Sequence, residues 1–378
     1  MDFGIMFFSS SGEAGNGNKY RLLLDAATFA DQHGFRCVWT PERHFHQFGG
    51  LFPNPALTSA ALSTITSHIQ IRAGSLISPL HNPIRIAEEW SVVDNLSDGR
   101  VAISFGSGWN VNDFVFFPEK YATRHATMYE QLQIVQRLWR GETLKQTNSL
   151  DKEVEITLYP KPVQAELPIW ITSSGNAETF ASAGAIGANV LTHLIGQDIT
   201  TLAQKIQRYR DSLGDHGFDP QQGIVSLMLH TYLGPDTEAV KAKVRTPFRE
   251  YLRSAISLEE QSARSGGVIS GGHRIDAHDI PTNVMEDLLD LTFERYFHTA
   301  ALMGTVADCT KYVWQLKDIG VDEVACLIDF LDDHDGIMES LTYVDQLQAQ
   351  FSAQSINQKA RDAVFSFTEE LEDSITQC

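Results

Sequence analysis

The sequence has few positive charges. Its 378 residues include 29 Lys and Arg against 48 Asp and Glu, which gives a formal net charge of −19. Proteins that bind nucleic acid through its phosphates need clustered Lys and Arg, and the sequence contains no such cluster. The charge balance therefore excludes a nucleic-acid partner, and it argues against an anionic membrane surface for the same reason.

Cysteine is also scarce. The four cysteines stand at positions 37, 309, 326 and 378, without a CxxC pair and without the spacing of metal ligands, so no metal site is predicted. Cys37 and Cys326 lie inside apolar runs, which predicts buried free thiols. This usage is typical of the reducing cytoplasm, where we expect the protein to be located.

Long apolar runs are missing. No segment approaches the roughly 18 apolar residues that a membrane span requires. The first eight residues are apolar but carry no basic leader, so we expect no signal peptide. The dinucleotide fingerprint is absent too, because Gly106-Ser107-Gly108 is not followed by a third glycine at the required spacing.

Eight short apolar runs alternate with segments of helical periodicity. The hydrophobic content of 43% is enough for a large core. Strands that alternate with helices favour a parallel sheet, and eight of them favour closure into a (β/α)8 TIM barrel of the α/β class. An open doubly wound sheet is the alternative. The strand-like runs are 3–8, 37–40, 69–77, 101–105, 168–172, 188–192, 224–233 and 323–328.

The barrel is expected to occupy residues 1–351 as one domain. Residues 256–281, after the seventh strand, break the alternation with Ser-Gly-Gly repeats and scattered His. A segment this long without periodicity is usually a functional lid or a disordered loop, and we interpret it as a mobile lid or insertion. Residues 352–378 are polar and acidic, which predicts a C-terminal tail or linker.

One stretch concentrates reactive side chains. The strand at 37–40 runs directly into Glu42, Arg43, His44 and His46. In a parallel barrel the C-terminal strand ends open onto one face, where active sites form. An imidazole there can exchange protons near neutral pH, and Glu42 or a backbone carbonyl can fix its tautomer. The alternatives are a structural ion pair and, with no third ligand evident, a metal site.

Three further features belong to the same face. The helix start at Ser173-Ser174-Gly175-Asn176 offers hydroxyl and N–H groups to an anion such as phosphate, and a plain helix cap explains it equally well. Gly74-Ser75 interrupts the third strand, as glycine does where a strand bulges or approaches a ligand, and it would give a planar cofactor a flat floor. The loop 106–110 would complete the cradle, with Trp109 either as a wall or as part of the core.

Taken together, these residues resemble the bacterial luciferase-like family of flavin-dependent monooxygenases. Within that family, the chain is most similar to members associated with nonribosomal peptide and polyketide assembly lines. The resemblance extends from Met1 to about Phe351. It rests on Phe3-Gly4, 38–50, 83–100, 106–114, 168–176 and Gly304-Thr305.

The resemblance implies reduced FMN as the cofactor, O2 as the cosubstrate and a C4a-peroxyflavin intermediate. It places a non-prolyl cis peptide at Gly74-Ser75 beneath the flavin ring, and the flavin phosphate at Ser174 and the following helix start. It makes residues 256–281 the lid that keeps water from the flavin. The implied product is an oxygenated, most simply hydroxylated, organic molecule, with an acyl or aminoacyl group on a carrier protein as the implied substrate.

Two positions depart from luciferase itself. Luciferase carries a histidine pair after the glutamate, whereas here the first of the pair is Arg43 and only His44 keeps the imidazole. This departure argues against aldehyde chemistry with light emission. Ser107 stands where luciferase has a basic phosphate contact, which implies weakly held FMN that a separate flavin reductase delivers. The resemblance also implies a homodimer.

We therefore expect His44 to give or accept a proton at the flavin or the substrate, and Arg43 to be the partner of an anion or of peroxide. Two alternatives remain. One is a deazaflavin-dependent oxidoreductase that transfers hydride on the same barrel, and the other is a non-catalytic flavin-binding module of a megasynthase. The residues expected to contact the flavin are Gly74, Ser75, Asn110, Ser173, Ser174, Gly175, Thr192 and His193.

Overall fold

The computed structural model describes residues 1–8, 18–173, 175–265 and 282–351. Its strands are numbered along the chain as β1 (Asp2–Met6), β2 (Cys37–Thr40), β3 (Gln70–Ile77), β4 (Val101–Gly106), β5 (Leu144–Thr147), β6 (Glu153–Ile156), β7 (Ile169–Thr172), β8 (Asn189–His193), β9 (Val225–Leu233), β10 (Leu302–Gly304) and β11 (Glu323–Leu327). Strands β5 and β6 form a separate antiparallel hairpin.

Eight parallel strands close into a barrel in the order β1-β2-β3-β4-β7-β8-β9-β11 and back to β1. The closing pair runs in register from Asp2 opposite Glu323 to Met6 opposite Leu327. Strands β8 and β9 pair as well, so that the sheet has no free edge in this ring. The predicted (β/α)8 barrel is therefore confirmed, and the open sheet is excluded. The short strand β10 pairs only with the end of β9.

Helices surround the ring. They are α1 (Arg21–Gln32), α2 (Pro55–Ser63), α3 (Pro83–Ser97), α4 (Arg124–Trp139), α5 (Ala177–Ala185), α6 (Ile199–Asp215), α7 (Thr237–Arg264), α8 (Thr282–Thr299), α9 (Val306–Asp318) and α10 (334–351). An asparagine begins α2, α3 and α5, because its side-chain oxygen accepts backbone N–H groups of the first helical turn. Helix α1 buries one stripe, which contains Leu23, Ala26, Ala27 and Ala30.

The N-terminal half of the barrel is closed by a buried ion pair. The Arg72 guanidinium lies 2.9 Å from Oε1 of Glu323, and both side chains are withdrawn from solvent. The same guanidinium lies 4.7 Å from the ring centre of Trp39 and 4.2 Å from that of Trp170. Ser226 donates a further hydrogen bond to Glu323. This packed layer leaves the C-terminal face as the place for a site.

The first part of the segment predicted as a lid is helical instead. Residues 256–264 continue helix α7, which ends at Arg264. The physical reason is that the helical spacing of buried positions does not stop at 255. Tyr251, Leu258 and Ser262 are all buried, at intervals of seven and four residues. The rest of the predicted lid, from 266 to 281, and the predicted tail at 352–378 lie outside the described residues.

Candidate active site at the C-terminal end of the barrel

The loops that follow β1, β2, β3, β4, β7, β8, β9 and β11 all open at one end of the barrel. Because the strands are parallel, residues that follow them in sequence come together there, although they are far apart in the chain. Phe8 shows this directly, because its backbone N–H lies 3.0 Å from both carboxylate oxygens of Asp329.

The centre of this end is a buried carboxylate, Glu42, held by two imidazoles. Its Oε1 lies 2.9 Å from Nε2 of His44 and 2.6 Å from Nε2 of His81. Its Oε2 accepts the backbone N–H of Ile77 at 2.7 Å. Glu42 therefore ties the histidine after β2 to the end of β3. The sequence left open whether Glu42 or a backbone carbonyl holds His44, and it gave no sign of His81.

These contacts shift the proton equilibria of the group. Burial alone would raise the pKa of Glu42, but hydrogen bonds with His44 and His81 outweigh burial and hold the pKa below its usual value. Burial would lower the pKa of His81, but its bond to Glu42 raises it. The carboxylate is thus ionised at neutral pH and can fix the imidazole of His44 in one orientation.

Arg43 points to the same end and has an unusual environment for a guanidinium. Its Cζ lies 4.0 Å from the ring centre of Phe8 and 5.1 Å from that of Phe48. Its Nε is buried and has no hydrogen-bond partner among the residues that the structure describes. Burial lowers the pKa of Arg43, although an arginine side chain remains charged throughout the physiological range. The neighbouring His46 has its pKa lowered by burial and by the charge of Arg43.

The loop after β4 contributes a second carboxyl group, that of Asp113. Burial raises the pKa of Asp113 to about 6, against the opposing effects of His44 and Arg43. Asn110 holds it in place through a 2.9 Å hydrogen bond and also accepts the backbone N–H of Asn112. The predicted site residue Asn110 thus uses its side chain to shape this loop. Trp109 is 37% exposed, so it is not part of the core.

The Gly74–Ser75 peptide bond is cis, as the family resemblance implied. The register of β3 against β4 shifts between Gly74 and Leu76. A Cβ at Gly74 would lie 2.8 Å from the ring of Trp39, and a Cβ at Gly106 would lie 2.9 Å from Oγ of Ser75. The two glycines are therefore required for this close approach of β2, β3 and β4.

The segment between β7 and α5 lies across the barrel end from Glu42. Asn176 is the N-cap of α5 and accepts the backbone N–H of Glu178 at 2.9 Å. The helix cap that the sequence left as an alternative explanation is therefore made by Asn176. The hydroxyl of Ser173 makes only long contacts of 3.4 Å, with Gly175 and Asn176. Ser174, the predicted phosphate contact, lies outside the described residues.

A lysine from α6 reaches this segment. A Cβ at Gly175, which has a φ of +110°, would lie 3.3 Å from Nζ of Lys205. Lys205 donates to Oε1 of Gln197 at 2.7 Å. The amide of Gln197 in turn donates to the carbonyl of His193 and, at 3.5 Å, to the hydroxyl of Thr192. The structure thus links the predicted pair Thr192 and His193 to the helix start, and Lys205 was not predicted.

Two histidines lie on adjacent strands here, His230 buried and His193 half-buried. Burial lowers the pKa of His193 to about 4 and that of His230 to about 3, so both are neutral at neutral pH. His193 accepts the backbone N–H of Ile195 at 3.1 Å. His230 lies inside the barrel end, and none of the described residues is a hydrogen-bond partner of its Nε2. Ser226, Met228 and His230 are alternate residues of β9 and therefore share its inward face, so this spacing could have identified His230 from the sequence.

The described residues offer neither a metal centre nor a membrane span. They contain no group of three or more His, Cys, Asp or Glu side chains arranged to hold a metal ion. No described helix combines the length and apolar character that crossing a membrane would need. Cys37, Cys309 and Cys326 are buried and free, which confirms the sequence prediction for Cys37 and Cys326.

Comparison with known proteins agrees with this geometry. The family model for luciferase-like monooxygenases matches residues 1–323. The oxygenase component of flavin-dependent trigonelline monooxygenase from Acinetobacter baylyi is 25% identical over 248 residues, which are 64% of this chain and 68% of that protein.

Two solved structures share the fold. The oxygenating constituent of 3,6-diketocamphane monooxygenase from Pseudomonas putida, in complex with FMN, has a TM-score of 0.70 at 16% identity and covers 91% of this chain and 96% of its own. An F420-dependent secondary alcohol dehydrogenase in complex with an F420–acetone adduct has a TM-score of 0.66 at 17% identity, over 92% of this chain and 98% of its own. With a family model that spans most of its length, this chain belongs to the luciferase-like monooxygenases, a family of flavin-dependent oxidoreductases.

Proposed function

We propose that this protein uses reduced FMN and O2 to oxygenate, most simply to hydroxylate, an organic substrate at the C-terminal end of the barrel. The observation that carries the proposal is the Glu42-bound imidazole of His44, tied through Ile77 to the strand that contains the Gly74–Ser75 floor. A proton-transfer group and a flat surface for a planar cofactor thus stand next to each other.

The residues present fit a flavin. Gly74 and Gly106 let β2, β3 and β4 approach closely, since a Cβ at either position would lie within 3.0 Å of Trp39 or of Ser75. In the proposal, the backbone surface at these glycines is the cradle of the flavin ring. Ser75 is partly exposed beside this cradle. In the proposal, Gly74 and Ser75 support the ring system, and Thr192 and His193 contact it from β8. Asn110 orders the loop that closes the cradle.

The phosphate end of the cofactor is assigned to Ser173, Ser174, Gly175 and the start of α5. The supporting observations are the weakly bonded hydroxyl of Ser173 and the charge of Lys205 beside Gly175. A helix start and a lysine together favour an anion. Lys205 would take the place of the basic contact that the sequence lacks at Ser107.

FMN, when bound in its reduced form, would supply the activation of O2, which protein side chains cannot perform. The contribution of this chain is position, proton control and exclusion of water. His44 is assigned the proton transfer at the reacting centre, with Glu42 fixing its orientation. Arg43 is proposed to bind an anion or peroxide, because it is a fixed positive charge on the same loop.

The proposal includes partners. The relative from Acinetobacter baylyi is named as an oxygenase component, which supports a separate flavin reductase as the source of reduced FMN for this chain as well. An acyl or aminoacyl group on a carrier protein is the proposed substrate form, and its support is the resemblance to assembly-line members. A homodimer in the cytoplasm is proposed on the same basis.

Anaerobic mixing of the purified protein with photoreduced FMN, followed by addition of ¹⁸O2 and a panel of acyl-carrier substrates, tests the proposal. We expect one ¹⁸O atom in the product, no product under argon, and a loss of roughly 10² to 10⁴-fold in His44→Ala. Product formation with a reduced deazaflavin under argon would instead establish the hydride-transfer alternative, which the F420-dependent neighbour keeps open. Flavin binding without turnover of any substrate would favour the non-catalytic module.

A further inference from the structure

The guanidinium of Arg43 is fixed before any ligand arrives. A Cβ at Gly49 would lie 2.9 Å from Cγ and Cδ of Arg43, so the glycine backbone packs directly against the arginine stem. The ring of Phe8 lies 4.0 Å from Cζ, and that of Phe48 lies 5.1 Å away. With its stem and faces covered by these neighbours, the guanidinium presents its edge to the barrel end.

That edge has no counter-charge within the described residues. No described carboxylate lies within 4.0 Å of it, and its Nε is buried without a hydrogen bond. Asp113 and Asp329 act on Arg43 only at longer range. Asp113 is bonded to Asn110, and Asp329 accepts the backbone N–H of Phe8. A guanidinium that meets no carboxylate at close range is poorly compensated away from bulk water, which makes this edge a place for an anion from outside.

A second unsatisfied nitrogen lies in the same aromatic cluster. Nε2 of His230 has no partner, and the residue is 2% exposed. Tyr251 connects the two positions, since its ring centre lies 4.4 Å from that of His230 and 5.1 Å from that of Phe48. The imidazole contacts three rings edge-on, those of Phe248, Tyr251 and Phe330.

The charge of the surroundings selects the kind of anion. The negative charges of Asp113 and Asp329 act on Arg43, and the charge of Glu42 acts on Asp113 next to it. A doubly charged phosphate would be repelled by these groups, whereas a singly charged, planar carboxylate can take both N–H groups of the guanidinium edge. The proposed phosphate end of FMN is elsewhere, at the start of α5, so it does not compete for this position.

We propose that Arg43 binds a carboxylate of the substrate, that the apolar part of the substrate lies against the aromatic cluster around Tyr251, and that His230 makes a polar contact to the bound molecule. The substrate class is thus a carboxylic acid with an apolar or aromatic body, whether it is free or is the free end of a carrier-bound acyl group. This inference rests on the proposed function for the reaction itself, but binding of the acid can be measured without turnover.

Isothermal titration of the full chain with matched acids and amides tests the inference. The probes are benzoate against benzamide and hexanoate against hexanamide. We expect the wild type to bind at least one acid about tenfold or more tightly than its amide, as one charge-assisted, two-point contact provides. Arg43→Met should bind acid and amide equally, and Arg43→Lys should retain only part of the preference because a lysine lacks the planar fork.

Arg36→Met is the matched control, because Arg36 is an exposed arginine at the opposite, N-terminal end of β2, where its partner Asp2 is 3.9 Å away. It should keep the wild-type preference. Equal binding of acid and amide by the wild type, failure of both acids to bind, or a preference that survives in Arg43→Met would each overturn the inference. The wild-type comparison decides the matter even if Arg43→Met fails to fold.

The same preparations are titrated with reduced FMN under argon. Flavin binding without a preference for acids would overturn this inference and leave the proposed function standing. A preference for acids without flavin binding would support the anion site and contradict the proposed function.

Discussion

Nε2 of His81 lies 2.6 Å from Oε1 of Glu42, and the same carboxylate oxygen lies 2.9 Å from Nε2 of His44. His81 therefore acts on His44 through Glu42. It is a positioning residue. Its carbonyl accepts hydrogen bonds from Gln131 and Lys120, which hold its backbone in place.

Replacing His81 by Gln should change how stability depends on pH. Glu42 has a lowered pKa when folded, so its stabilisation is present above its unfolded value and is lost as pH falls through the folded one. His81 has a raised pKa, so its stabilisation is complete below its unfolded value and is lost as pH rises through the folded one. We expect the free energy of unfolding of the wild type to exceed that of His81→Gln by about 1–3 kcal/mol, with the largest difference between roughly pH 5 and 6.5.

Urea unfolding of both proteins across this pH range gives the difference directly. His68→Gln is the control, because His68 is an exposed histidine 3.6 Å from Asp31 and should contribute little. A difference that does not vary with pH would mean that His81 contributes packing rather than charge.

Asp113 should make the protein less stable as pH rises. Its pKa is raised to about 6 by burial, from a usual value of 3.8, so the folded state holds the proton more tightly than the unfolded state does. Stability should fall between about pH 4 and 6, by an amount on the order of 2–3 kcal/mol, and then level off. Asp113→Asn keeps the acceptor for Asn110 and should lose this dependence. An unchanged dependence in Asp113→Asn would contradict the account.

The stability of the protein should be sensitive to loss of either partner of the buried ion pair Arg72–Glu323, in the N-terminal half of the barrel. Arg72→Met leaves Glu323 buried without its cation, at an expected cost of about 3–5 kcal/mol in the free energy of unfolding. The double variant Arg72→Met with Glu323→Leu should recover part of that loss. Arg36→Met, which removes a surface arginine, should cost about 1 kcal/mol or less. An equal loss in Arg72→Met and Arg36→Met would show that the buried pair is not important for stability.

Replacing Lys205 should weaken the binding of FMN and leave the binding of riboflavin unchanged. If it neutralises the phosphate beside Gly175, Lys205→Met should weaken binding of FMN about tenfold or more, because a charge-assisted contact is lost. Riboflavin has no phosphate, so its affinity should not change. Fluorescence titration with both flavins measures this, with the exposed Lys145→Met as the control. Equal loss for the two flavins would indicate a structural role through Gln197.

Much of the fold could be predicted because its signals are local. The eight strands are apolar runs bounded by turns, and Gly34, with a φ of +73°, ends the segment after α1 as expected. Strand β10 was missed because three residues are too few to show a period. The end of α7 was misplaced because Leu258 and Ser262 continue the helix into a polar stretch.

The site was predictable only in part, because its decisive contacts join distant residues. His44 and Glu42 are two positions apart and could be associated from sequence. His81 is 39 positions from Glu42, and Lys205 comes from a helix whose register against Gly175 depends on packing. Asp113 was inside a recognised loop, but only burial reveals its raised pKa.

The most direct test of the central claim is the spectrum of photoreduced FMN, premixed with the protein under argon, after rapid mixing with oxygenated buffer. The account predicts a long-lived species that is neither reduced nor oxidised flavin, and a much shorter lifetime for it in His44→Ala. Direct appearance of oxidised FMN at the rate seen without protein would contradict it.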